Sequence, residues 1–288
     1  GREVARDLCT RLGIDMESAH PLADLRARKA SEILEAQMGV STQHQLPLGS
    51  MAWQPSIDGD LFTGFPVEVW PGAGKAAPEL LIGTNLDEWN MFTALDTKRR
   101  KLDEATLRDY LGRTLASDGN PDVEERVGHI LALYSRAPSG GTRTPGQIWS
   151  AVQSDRVFTF PAVELADRNA QAEGRTWFYR FDWKPRWGRE RIGACHSMEL
   201  PFVFGSLRDP VPRWLLGARR EDQRLSDRIQ DAWLQFARSG APCSEADSSW
   251  PLYESGNGKA QVFGGTAPEV PALAEEVRSF WSCEISRD

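Results

Sequence analysis

Residues 79–84, ELLIGT, constrain the fold of this chain more than any other stretch. The run is apolar at its centre, too short for a typical helix and flanked by breaker residues, as a strand buried in a parallel sheet would be. Asn85, Asp87, Glu88 and Asn90 crowd its C-terminal end. Open α/β sheets carry their chemistry at that end of their strands. A second strand is expected at 176–183 (TWFYRFDW), which is aromatic and partly alternating, and a short last one at 260–263.

Between these runs the apolar period becomes helical. Val4, Leu8 and Leu12 mark a helix over 3–12 that Gly13 ends, and Leu22, Leu25, Lys29, Ile33 and Leu34 mark another over 22–37. Further helices are expected at 103–116 and 121–135, and in a longer stretch ending near Ala172 that Pro161 bends or interrupts. The clearest helix covers 222–238, with Leu225, Ile229, Trp233 and Phe236 on one face and Gly240 as its stop. A final one is expected from Pro271 to about Cys283. Residues 46–75 are too rich in Gly and Pro for a regular helix, and their aromatics predict a long ordered loop packed on a core.

Strands separated by helices make the fold class α/β. No internal repeat and no domain boundary stands out, so residues 1–288 read as one unit. The strands are few for this length. Either others lie unrecognised in 40–80, or the sheet continues in sequence beyond this chain. A net charge of −7 argues against nucleic acid or anionic lipid as partner, and no run approaches the eighteen apolar residues of a membrane span. The four cysteines, Cys9, Cys195, Cys243 and Cys283, form no CxxC pair or dense disulfide framework.

Two residues invite a catalytic reading. Glu88, just past the buried strand, is placed to orient a histidine, or is a surface carboxylate of a polar loop; Asp87 competes for the same role. His196 lies in a small-residue loop, GACHSMELPFVFG, that lets an imidazole project, and it serves a site or the structure equally well. Glu199 either tunes that imidazole or caps a helix. His20, His44 and His129 fall in turn, loop and helix settings that suit structural roles. Cys195 adjoins His196, but no spaced ligand set completes a zinc site, and no base and orienting group serve a thiol nucleophile. GAGKAA at 72–77 matches a loose dinucleotide fingerprint, yet a strand follows where the phosphate-binding helix should start.

Serine supplies the decisive negative. No serine here has glycine two before and two after, so no G-x-S-x-G elbow is present, and no HGGG-like segment offers an oxyanion hole. Acid and base stand in the order Glu88 then His196 without a nucleophile ahead of them.

Five stretches resemble the carboxylesterase type B family, which includes bacterial para-nitrobenzyl esterases and the cholinesterases. They are AWQPSIDGDLFTGFP (52–66), LLIGTNLDEWNMF (80–92), RIGACHSMELPFVFG (191–205), AWLQFARSGAP (232–242) and the W-P-x-Y set Trp250, Pro251 and Tyr253. LGID and DLRARKASEILEAQ near the start resemble the segment after the nucleophile elbow. The resemblance implies an α/β-hydrolase fold of which this chain is the C-terminal portion. It also implies Glu88 as triad acid, His196 as triad base, Glu199 as the acidic residue near the histidine, and no cofactor. The serine and oxyanion loop are then expected upstream of Gly1, in an N-terminal portion that would also cover the open edge of the sheet. A small carboxylic ester is the implied substrate. The chain departs from the family pattern at Trp89 and Ser197, where the family usually has glycine; Trp89 would narrow the pocket or shift the loop. Two rivals remain. One is a non-catalytic adhesion or binding member of the same superfamily; the other is an unrelated hydrolase using a serine of this chain, such as Ser197 or Ser154.

Overall fold

In the computed structural model the described residues are 1–43, 53, 55–72, 74–116, 122–137, 140–243 and 250–285. They fall into two units, Gly1–Phe65 and Pro66–Asp288.

The second unit is built on one sheet. Its strands are β1 (Leu80–Asn85), β2 (Thr176–Phe181), β3 (Lys259–Phe263) and β4 (Glu269–Pro271), in spatial order β1-β2-β3-β4. β1 and β2 are parallel, with Ile82 opposite Phe178, and β2 and β3 are parallel, with Phe181 opposite Phe263. β3 and β4 run antiparallel, and Lys259 pairs with Glu269 across them at 2.6 Å. The first three strands lie where the sequence places them to within two residues. β4 was not expected: it is three residues long and ends in proline, and such a segment carries no alternation to read. For the same reason the final helix begins at Glu275 and not at Pro271.

Alternation along β2 sorts its side chains onto two cores. Trp177 and Phe181 face Phe202, Leu207, Ile229, Trp250 and Phe263, with Trp233 and Phe236 of helix Arg220–Ser239 packed against them. Phe178, on the opposite face, meets Val163, Ala166 and Tyr253. That twenty-residue helix follows its sequence stripe and stops at Gly240, whose φ of 74° is the left-handed conformation of a C-terminal cap.

Pro161 interrupts its helix in a particular way. Pro145–Ser154 starts on a capping box between Thr144 and Gln147 and gives way to a π-turn at Asp155–Thr159, in which Phe160 N–H donates to the carbonyl of Asp155. The α-helix resumes as Phe160–Gln171. Proline brings no N–H to bond the preceding turn, and one widened turn absorbs the mismatch.

In the first unit, helix Arg2–Arg11 buries Leu8 against Ala36 and Val40, with Val4, Leu12 and Trp53 around them. The single helix expected over 22–37 is two, Pro21–Arg26 and Ala30–Gln43. The Glu32 carboxylate accepts the Lys29 N–H at 3.0 Å and so starts the second helix afresh. Leu22 and Leu34 of the expected stripe are exposed.

The loop expectation for 46–75 holds only in part. Residues 44–52, 54 and 73 lie outside the described set, and the remainder forms turns and coil. Trp53 is anchored in the first unit and, within the second, the Trp70 indole donates to Asn169. Leu61 and Phe65, however, are 80% and 61% exposed. Breaker spacing lacks a period, so nothing directs successive apolar side chains to one face.

Candidate active site

Parallel pairing of β1 and β2 brings the two loops that leave their C-terminal ends side by side. Leu86 N–H continues the ladder to Phe181 C=O. The chain then turns through 86–89, and the loop after β2 returns through Gly193–His196 against it.

Asp87 fixes the second loop. Its N–H donates to Ala194 C=O at 2.9 Å, and its Oδ2 accepts Ala194 N–H at 3.0 Å and Lys184 Nζ at 3.0 Å. Asp87 is thus committed to the loop backbone and a lysine, which leaves Glu88 as the carboxylate on the histidine. Glu88 is 5% exposed. Oε1 accepts the Asn85 N–H at 2.8 Å, and Oε2 lies 2.8 Å from His196 Nδ1. His196 N–H also donates to Glu88 C=O at 3.2 Å. An ionised carboxylate only accepts, so Nδ1 carries the proton and Nε2 presents a lone pair. Burial pushes the Glu88 carboxyl above its ordinary range, against the Asn85 N–H and the imidazole, which pull it down.

Aromatic rings surround the imidazole. Phe158, on the π-turn, stands 5.0 Å from it and Phe92 5.8 Å, centroid to centroid. Trp89 backs both, at 4.7 Å from Phe92 and 6.3 Å from Phe158, and its N–H donates to Ser154 Oγ at 2.9 Å. Ser197 follows the histidine with a φ of +66°, in the left-handed region. Glu199 accepts from the side-chain amide of Asn85, which also donates to Cys195 C=O at 2.9 Å. Phe92, Phe158 and the amide of Asn85 were not singled out from sequence. Only the nearness of Phe158 to Pro161 signalled an irregular turn there.

The other candidates have different surroundings. The Cys195 thiol is buried and pushed up to about 11 by that burial, far from the thiolate a nucleophile needs. The Ser154 hydroxyl is 3% exposed, donates its proton to Ser150 C=O and accepts from the Trp89 backbone N–H, so it is buried and tied to the fold, not open to a substrate. Among the described residues Ser197 makes no hydrogen bond to the imidazole. His129 packs edge-on against Phe280, His20 precedes Pro21 at a helix start, and His44 is outside the described set. Among the described residues no group of three His, Cys, Asp or Glu side chains is placed to hold a metal. A cavity of about 1250 Å³ is lined by Asn85, Asp87, Arg143, Asp155, Arg180 and Lys184, among others. Two of its cations are spent on carboxylates, Arg180 on Asp182 and Lys184 on Asp87.

Comparison with known proteins shows the family and the fold. The model of the carboxylesterase family matches residues 1–278. The chain is 31% identical to the para-nitrobenzyl esterase of Bacillus subtilis over 236 residues, which are 81% of this chain and 43% of that protein. It is 26% identical to mouse carboxylesterase 1C over 276 residues, 93% of this chain and 47% of the relative. Among solved structures, a PNB esterase superposes with a TM-score of 0.72 at 27% identity, covering 96% of this chain and 53% of that one. A carboxylesterase of Geobacillus stearothermophilus gives 0.72 at 26%, covering 97% and 54%. The chain therefore spans about half the length of the relatives it matches. Its mixed four-stranded sheet and flanking helices are part of an α/β-hydrolase fold. On the extent of the family match, this chain belongs to the carboxylesterase family.

Proposed function

We propose that this chain supplies the acid and base of a serine carboxylesterase, with Glu88 and His196 in those roles and the nucleophilic serine contributed by residues outside it. Residues 1–288 are read as a portion of a single α/β-hydrolase domain. The 2.8 Å contact between Glu88 Oε2 and His196 Nδ1 carries the reading, because it leaves Nε2 free to take a proton.

The reaction proposed on this geometry is a two-step acyl transfer. His196 Nε2 takes the serine proton as the hydroxyl attacks the ester carbonyl, and the imidazolium returns it to the departing alcohol. Water then repeats the sequence on the acyl-enzyme. Glu88 holds the tautomer and faces the developing positive charge from a site with little water to screen it. The oxyanion donors are likewise expected outside this chain, each worth about 3–4 kcal/mol. Trp89, Phe92 and Phe158 form one apolar wall beside the base, suited to the acyl or alcohol group of short or medium carboxylic esters. No step calls for a cofactor.

Labelling tests the assignment. Residues 1–288 alone should show no turnover of a para-nitrophenyl ester and no stoichiometric serine modification by a fluorophosphonate probe. In the complete enzyme the probe should label one serine, and His196→Ala should lower turnover by orders of magnitude. Stoichiometric labelling of a serine within this chain, or near-wild-type turnover by His196→Ala, would overturn the reading.

A further inference from the structure

Asn85 is the last residue of β1 and is 2% exposed. Three separate parts of the site meet on it. Its N–H holds Glu88 Oε1 at 2.8 Å. One side-chain N–H donates to Cys195 C=O at 2.9 Å, in the residue before the histidine. The other donates to the Glu199 carboxylate, three residues after the histidine. Both partners are pure acceptors, which fixes the amide with its nitrogen toward them. Oδ1 is left buried with no partner among the described residues. An orphaned buried acceptor is unfavourable, so this orientation persists because the donor pair outweighs it.

We propose that Asn85 is a positioning residue for the Glu88–His196 pair: it ties the acid, the loop before the base and the second carboxylate Glu199 to the end of one strand. The proposal rests on the reading of that pair as acid and base. Asparagine suits the position for a chemical reason. Aspartate would turn an acceptor toward a carbonyl and a carboxylate, and alanine would release both. In either case the loop loses a link on each side of the imidazole, and the contact between Nδ1 and Oε2 loosens.

The experiment follows the His196 Nδ1 proton by NMR in the full chain, assigned by its loss in His196→Ala, with circular dichroism monitoring the fold. In the wild type this proton should be shifted far downfield and protected from water. In Asn85→Asp and Asn85→Ala it should exchange roughly tenfold faster or broaden away, as expected for the loss of about one hydrogen bond's restraint. Glu88→Gln serves as the control. If the signal responds to Glu88→Gln and stays unchanged in the folded Asn85 variants, the proposal falls and the acid–base reading stands. If the wild type shows no protected proton, or Glu88→Gln leaves it unaltered, the acid–base reading itself falls. Should only one Asn85 variant fold, that one decides; if neither folds, the residue is structural and the proposal is overturned.

Discussion

Glu88 and His196 are joined twice, through the side chains at 2.8 Å and through His196 N–H to Glu88 C=O at 3.2 Å. The backbone link sets the height of the loop and the side-chain link sets the tilt of the ring. Neither would hold if the loops after β1 and β2 were not adjacent, which parallel pairing of the two strands secures.

Glu88→Gln should separate stability from chemistry. Burial raises the Glu88 carboxyl, so the folded chain binds its proton more tightly than the unfolded chain. Its contribution to stability is complete below the unfolded value of 4.5 and is lost as pH rises through the folded one. Urea denaturation should show the variant gaining on the wild type as pH rises from 4 to 7. Turnover of the complete enzyme should fall by roughly 10³–10⁴, because the glutamine amide favours the wrong tautomer. A variant that instead loses ground to the wild type as pH rises would contradict the assignment of a raised carboxyl.

Ser197→Gly should stabilise the chain. Ser197 adopts a φ of +66°, where a side chain costs about 1–2 kcal/mol, and it is exposed, so little packing is lost. Glycine's greater freedom in the unfolded chain returns part of that gain. A net rise of about 0.5–1 kcal/mol is expected from chemical denaturation. A destabilised variant would mean that the strained backbone at Ser197 does not outweigh what its side chain contributes. The conformation also gives a physical reason for the glycine that the family pattern places after the histidine.

Much of the site was legible in sequence because its parts are contiguous. ELLIGT marks a strand, the polar residues beyond it offer Asp87 and Glu88 as candidate carboxylates, and the small-residue loop offers a projecting histidine. Asp87 and Glu88 could not be separated in that way. The choice depends on which carboxylate meets Ala194 N–H and Lys184, and both partners lie about a hundred positions away. The aromatic wall was hidden for a similar reason, since Phe158 reaches the imidazole only after a π-turn rotates the helix register before Pro161. The break at 27–29 and the strand Glu269–Pro271 rest on one side-chain bond and three residues of pairing, too little to leave a period.

Asp155→Asn should alter the pH dependence of stability. Asp155 opens the π-turn, accepts the Tyr134 O–H at 2.8 Å and is pushed up to about 6, chiefly by burial. Tyr134 and Thr159 hydrogen-bond it, and Arg143 and Arg180 attract it, without offsetting the desolvation. Its contribution is full below about 3.8 and is lost as pH rises through about 6. Asparagine keeps an acceptor for Tyr134, so the variant should be more stable than the wild type by about 1–3 kcal/mol at pH 7.5 and equal to it near pH 4. Melting curves at the two pH values would decide; a constant difference would rule out titration of Asp155 as the cause.

Gly193→Ala should damage the loop that carries His196. Gly193 has a φ of +60°, and a Cβ there would lie 2.3 Å from Asp87 Oδ2. Alanine therefore meets backbone strain and displaces the carboxylate that holds Ala194 N–H and Lys184. The expected loss is about 2–4 kcal/mol, of which strain accounts for about 1–2. A double-mutant cycle with Asp87→Ala divides the two terms, since removal of the carboxylate removes the clash and leaves the strain. Gly193→Ala should then cost distinctly less in the Asp87→Ala background than in the wild type. Equal costs in both backgrounds would show that Asp87 is not the group the glycine makes room for, and that the loop is held by other means.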